Sequence, residues 1–158
     1  LDAGVHEIQI GNANPFYVMC SSGGWMIIHR RMNGRVNFDK TWQEYVNGFG
    51  DFDGEFFIGL EKLHLITNFT RHELYAAITF QWGSPAVQYD NFRIGNSKSF
   101  YELESIGQSS GDNYINVLQR NVNQKFSTYD ENHNTLSTRN CAENGNGGWW
   151  YPRNCGEM

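Results

Sequence analysis

Residues 107–155 constrain the fold more than any other stretch, because Asn, Ser, Gly and aromatic residues replace the aliphatic periodicity of a helix or strand. A segment of this kind has no aliphatic face to bury, so it must be held by side-chain hydrogen bonds, a disulfide or an ion. Cys141 and Cys155 are close enough in sequence to staple a Gly-rich loop inside it, which leaves Cys20, far upstream, as the odd one of three cysteines. Cys20 is then either half of a second disulfide or a free reactive thiol. The loop-rich part at 107–158 is the expected functional lobe.

Periodic signals mark the remaining sequence. FYVMC (16–20) and WMIIHRR (25–31) are β-rich runs joined by Ser21-Ser22-Gly23-Gly24, which predicts two strands and a turn. Trp42, Tyr45, Val46 and Phe49 recur at helical spacing behind the capping box of Thr41 and Glu44, so a short helix is expected over 41–49. Phe57, Leu60, Leu63 and His64 predict a second helix near 58–66, with Asn68 in the loop that follows. HELYAAITF (72–80) and AVQYDNFRI (86–94) alternate as strands, with Gly83-Ser84-Pro85 as the turn. Together these give a single domain over 1–158, with an N-terminal part at 1–50 and central sheet and helices at 51–106.

Twelve Lys and Arg against 17 Asp and Glu give a net charge of -5, so nothing draws the protein to a phosphate backbone and nucleic acid is not an expected partner. No stretch reaches the roughly 18 consecutive apolar residues of a membrane span, so no membrane insertion is expected. Residues 1–20 lack a basic start followed by an unbroken apolar run, so the sequence is expected to begin after any targeting segment. The sequon Asn68-Phe69-Thr70 together with the cysteines points to an oxidising secretory route, a glycan on Asn68 and an extracellular location.

Catalysis needs a nucleophile or an acid-base pair within hydrogen-bond reach, and the candidates are Cys20 with His29, or His64 with Glu61. Neither sits in an established catalytic motif, and the Cys and His spacing gives no zinc site, so the protein is expected not to be an enzyme. The loop Asp130-Glu131-Asn132-His133-Asn134 presents oxygens at alternate positions, a pattern able to wrap calcium or simply to form an Asx-rich turn. An EF-hand is excluded, because Thr135 occupies the glycine position and Cys141 the bidentate Glu position. Trp149, Trp150 and Tyr151 offer either a face for a sugar ring or the small core that a Gly-rich lobe needs.

The segments GGWMIIHRRMNGRVNFDKTWQEYVNGFG, GEFFIGLEKLHLIT, HELYAAITF, YDNFRIG, FSTYDEN and NCAENGNGGWWYPRNC, in this order, resemble the fibrinogen C-terminal globular domain over about residues 4–155. The resemblance implies an α+β fold: a twisted antiparallel sheet, short flanking helices and a loop-rich C-terminal ligand lobe. It implies a calcium site built from Asp130, Asn132 and Asn134 with carbonyls near Leu136 and Thr138, although the family pattern is Asp-x-Asp-x-Asp. It also implies a ligand pocket at Trp149, Trp150, Tyr151, Asn154 and Cys155, with an unusual cis bond between Asn154 and Cys155. Further segments of the family type are expected upstream of Leu1, including a partner for Cys20, and downstream of Met158. The function implied is a non-catalytic, lectin-like receptor of innate immunity that binds acetylated glycans or microbial surface groups and oligomerises through an upstream segment. The alternative is a signalling or adhesion ligand for a cell-surface receptor, of angiopoietin or fibrinogen type.

Overall fold

The structure is a computed structural model that describes residues 2–134, 139–153 and 155. Strands β1 (Gly4–Ile8), β2 (Phe16–Cys20) and β3 (Met26–Ile27) form one antiparallel sheet in that order. β4 (His29–Arg30) follows, then α1 (Trp42–Asn47), β5 (Phe49–Gly50) and β6 (Phe56–Phe57), and the three strands pair in the order β4-β6-β5. After α2 (Leu60–Phe69), the long strands β7 (His72–Ala77) and β8 (Ala86–Ile94) pair antiparallel. β9 (Leu103–Ser105) and β10 (Ser109–Gly111) both pair with β8. The expected α+β fold is present, but among the described residues the sheet is divided into three small ones. Pairing of β4 with β6 crosses residue 50, and pairing of β8 with β10 crosses residue 106.

Helix α1 forms where its sequence places it. Thr41 Oγ1 accepts from the Glu44 amide while the Glu44 carboxylate accepts from the Thr41 amide, the reciprocal pair that satisfies two otherwise open donors. The helix stops at Gly48, whose φ of 89° and contact with the Ile58 backbone leave no room for a side chain. Helix α2 buries Leu60, Leu63, Ile66 and Thr67. It runs past its expected end because Ile66 and Thr67 continue the apolar stripe, and Thr67 Oγ1 accepts from the Ile94 amide of β8 at 3.3 Å. Asn68 therefore lies in the last helical turn rather than in a loop. The β7–β8 turn sits at Gln81-Trp82, closed by the Phe80–Gly83 bridge, ahead of the expected Gly83-Ser84-Pro85.

The main core is aromatic. Tyr45, Phe57 and Phe126 pack with ring centroids 5.1–6.4 Å apart, and Trp150 meets Phe126 edge-on at 5.1 Å. One buried carboxylate organises the loop after β4. Glu55 Oε1 accepts from the Met32, Asn33 and Gly34 amides at 2.6, 2.8 and 2.9 Å, and Oε2 accepts from Val36 at 2.8 Å. These donors, the Val36 amide first, hold the Glu55 carboxyl down to about 2. A depressed carboxyl contributes stability that is complete above its ordinary value and is lost as the pH falls through the folded one. The loop should thus loosen between about pH 4.5 and about pH 2. Glu55→Gln should reproduce this at neutral pH, with tryptic cleavage at Arg31 and Arg35 roughly ten-fold faster or more. An unchanged cleavage rate would show that the carboxylate does not fix the loop.

Candidate functional site

The lobe after β10 is built from short turns, with 3-10 turns over Asn113–Ile115 and Leu118–Asn121. Its brace is the disulfide Cys141–Cys155, whose Cα atoms lie 5.3 Å apart. Cys141, Ala142 and Tyr151 form a small second core with Trp149 and Cys155 packed against it. Asn side chains then do what aliphatic packing does elsewhere. Asn140 Nδ2 donates to the Thr128 and Tyr129 carbonyls at 2.9 and 3.0 Å, and its Oδ1 accepts from the Ala142 amide. Asn146 Nδ2 donates to the Cys141 carbonyl at 3.0 Å, and Tyr151 OH donates to Gly147 at 2.6 Å. Burial pushes the Tyr151 phenol up, which keeps it the neutral donor this bond requires.

Two of the aromatics expected to face a ligand point inward. Trp150 is 4% exposed and Tyr151 1%. Trp150 Nε1 donates to the Tyr101 carbonyl at 2.7 Å, and the Trp150 carbonyl accepts from Asn121 Nδ2 at 2.6 Å, so this residue ties the lobe to the main core. Tyr101 itself sits at φ 49° next to Phe100 at φ 54°, left-handed positions seldom taken by aromatics, and Tyr101 OH donates to Glu61 at 2.6 Å. Trp149 is half-buried: it bridges Ser127 through both backbone bonds and keeps part of its surface outside. Cys155 is half-buried in the disulfide, while Asn154 and the bond before Cys155 lie outside the described residues.

The 130–134 loop uses its polar atoms internally. Asp130 Oδ1 accepts from the Trp42 amide at 2.9 Å and from Thr128 Oγ1 at 2.7 Å, which places a carboxylate on the first turn of α1. Asn132 Oδ1 accepts from the Asn134 amide at 3.1 Å, an Asx turn, and Asn134 Nδ2 lies 3.5 Å from the Arg139 carbonyl. His133 anchors the loop, with its ring stacked on Phe100 at 4.0 Å and set edgewise to Trp42 at 4.9 Å. A hard divalent cation needs six to eight oxygens, several of them charged. The expected ligands among the described residues supply one carboxylate, half committed, and Leu136 and Thr138 lie outside those residues.

Two of the candidate acid-base groups have other partners. Glu61 is taken by Tyr101, while His64 Nδ1 lies 3.2 Å from the Ile94 carbonyl and 2.8 Å from Asn68 Nδ2. Cys20 is a buried thiol in β2. A cleft of about 180 Å³ beside α1 and β6 has Lys62 as its one titratable lining residue. Asn68 is exposed, yet its amide nitrogen also donates to the Ile94 carbonyl at 2.7 Å and the His64 carbonyl at 3.1 Å. A glycan on that nitrogen leaves it one N–H, so at most one of these bonds would survive.

Sequence reasoning does not single out Tyr129, 43% exposed beside Asn140, or the exposed turn at 143–146. With the outer part of Trp149, these form part of the accessible surface near the disulfide among the described residues. Their only sequence signal is position: a lone aromatic among polar residues and the Glu143-Asn144-Gly145-Asn146 run between the two cysteines.

Residues 2–158 match the family described as the C-terminal globular domain of fibrinogen beta and gamma chains. The sequence is 38% identical over 149 residues to fibrinogen-like protein 1 of Homo sapiens, covering 85% of this chain and 47% of that protein. It is 38% identical over 157 residues to angiopoietin-4 of Homo sapiens, covering 94% of this chain and 30% of that protein. It thus spans less than half the length of either curated relative. The fibrinogen-like globe domain of human ANGPTL6 superposes with a TM-score of 0.87 at 36% identity, over 96% of this chain and 69% of that one. A lamprey fibrin D-dimer complexed with the peptide Gly-His-Arg-Pro-amide gives 0.82 at 27% identity, over 97% of this chain and 54% of that one. The fold, the braced lobe and these matches agree: the chain belongs to the family of the fibrinogen C-terminal globular domain.

Proposed function

We propose that this protein is a non-catalytic, extracellular recognition module that binds a protein partner through the lobe surface at Tyr129, Trp149 and the 143–146 turn. The observation that carries this reading is the inward packing of Trp150 and Tyr151. Buried in this way, Trp150 and Tyr151 offer no exposed ring face on which a sugar could stack. Among the described residues near the disulfide, Tyr129, part of Trp149 and a polar, hydrogen-bonded rim remain outside, the composition of a protein contact. The relatives are fibrinogen-like and angiopoietin proteins, and one solved relative is complexed with a peptide, which supports the same reading.

The test displays the domain on a multivalent scaffold, so that weak single sites add up. Binding to intact cells should survive glycosidase treatment and be abolished by mild surface proteolysis, and an array of acetylated glycans should stay silent. Saturable binding to acetylated sugars, competed by free sugar, would overturn the proposal.

A further inference from the structure

We propose that Asn144 is a site of spontaneous deamidation, selected by the fold from four Asn-Gly steps in the sequence, at Asn33, Asn47, Asn144 and Asn146. The chemistry uses only the protein and water. The backbone nitrogen of the following residue loses its proton and attacks Cγ of the asparagine; a new N–C bond forms, the bond from Cγ to Nδ2 breaks and ammonia leaves. Water then opens the resulting succinimide at either carbonyl, giving aspartate or isoaspartate, with one water consumed, one ammonia released and no redox change. The step therefore needs an N–H free to ionise, a side chain free to reach it and room for a five-membered ring.

Three of the four steps lack one or more of these. At Asn33 the Gly34 N–H donates to buried Glu55 Oε1 at 2.9 Å, and Asn33 Oδ1 accepts from the Arg35 amide at 3.2 Å. A carboxylate against that nitrogen both holds its proton and opposes a second negative charge. At Asn47 the Gly48 N–H closes a helical bond to the Glu44 carbonyl at 2.8 Å, Oδ1 accepts from Gln43 Nε2 at 3.0 Å, and added atoms at Gly48 meet the Ile58 backbone. At Asn146 the amide is tied to the Cys141 carbonyl, and Gly147 is buried with the Phe38 carbonyl 2.9 Å from where a Cβ would stand.

Asn144 has none of these restraints. It is exposed at φ 63°, followed by exposed Gly145 at φ 80°. Among the described residues nothing hydrogen-bonds the Asn144 side chain or the Gly145 N–H, and a Cβ at Gly145 would have nothing within 4 Å. Conversion places a new carboxylate beside Glu143 in the loop closed by the disulfide, and isoaspartate also lengthens the backbone there. The inference stands whether or not the lobe binds a protein, since it rests on the local geometry alone.

The experiment incubates the folded, oxidised protein at mildly alkaline pH and physiological temperature, then maps amide-to-acid conversion by fragmentation mass spectrometry, with isoaspartyl methyltransferase labelling as a second readout. Asn144 should convert at least about ten-fold faster than the other three, the factor set by breaking one hydrogen bond to a charged or helical acceptor. In the reduced, urea-unfolded protein the four rates should converge. Glu55→Gln should raise the rate at Asn33 and leave Asn144 unchanged. Faster conversion at any of the other three in the folded protein, or an Asn144 that persists while the unfolded protein converts, would overturn the assignment; an unmoved Asn33 in Glu55→Gln would overturn the protective role of the carboxylate.

Discussion

Trp150→Ala should cost about 3–5 kcal/mol, the range for deleting a buried aromatic, and so remove a large part of the roughly 5–15 kcal/mol that stabilises a typical domain. Trp150 is packed edge-on against Phe126, and its backbone and indole are both bonded across the boundary between lobe and core. Deleting the ring leaves a cavity against Phe126 and Phe92, and leaves the Tyr101 carbonyl without its donor. Trp150→Phe separates the two effects: the ring is largely kept, the N–H is lost, and an unsatisfied buried carbonyl costs about 1–3 kcal/mol. Urea unfolding should order the proteins as wild type, Phe, then Ala. An Ala variant within about 1 kcal/mol of wild type would mean that Trp150 does not join lobe to core.

Removal of the disulfide is the second large effect. Cys141 and Cys155 are 14 positions apart, a closed loop for which the entropy of the unfolded state gives about 3 kcal/mol. The lobe holds only the small cluster of Cys141, Ala142 and Tyr151 beneath that bridge, so the loss should be concentrated there. In Cys141→Ser/Cys155→Ser, amide exchange should accelerate through 139–153 while β7 and β8 keep their protection. Uniform acceleration across the sheets would show instead that the lobe and core unfold as one unit.

The parts of the fold legible in the sequence are those whose cause is local. The capping box of Thr41 and Glu44 and the spacing of Trp42 and Tyr45 specify α1 without reference to distant residues. Alternation in HELYAAITF and AVQYDNFRI likewise specifies β7 and β8. The elements that are not legible have causes elsewhere. β1 does not stand out although Gly4, His6 and Ile8 alternate with exposed Val5 and Glu7, because only pairing with β2 gives that pattern its meaning. The apolar spacing ends the second helix near 66 and leaves Asn68 in a loop, whereas in the structure Asn68 lies within α2, its side chain bonded to the Ile94 carbonyl of β8.

The candidate site divides the same way. The Cys141–Cys155 staple is legible from spacing and is present. Which aromatics face inward is not, because Tyr101 and Phe126, distant in sequence, decide the burial of Trp150. The role of Asp130 is equally hidden, since its partner, the Trp42 amide, lies 88 positions away. Side-chain chemistry nominates the 130–134 oxygens, whereas the bonds that Asp130 Oδ1 and Asn132 Oδ1 accept are read only from the folded structure.

The central claim, that the surface around the disulfide binds a protein, is tested most directly by comparing three multivalent variants on the same cells. Tyr129→Ala and Glu143→Lys alter the lobe surface, whereas Trp82→Ala removes the most exposed large aromatic, 71% exposed on the β7–β8 hairpin. All three change exposed residues and should melt within a few degrees of wild type. Tyr129→Ala should weaken cell binding roughly ten-fold or more and Glu143→Lys should weaken it measurably, while Trp82→Ala leaves it unchanged. Loss of binding in Trp82→Ala with both lobe variants intact would contradict the account and move the contact to the hairpin.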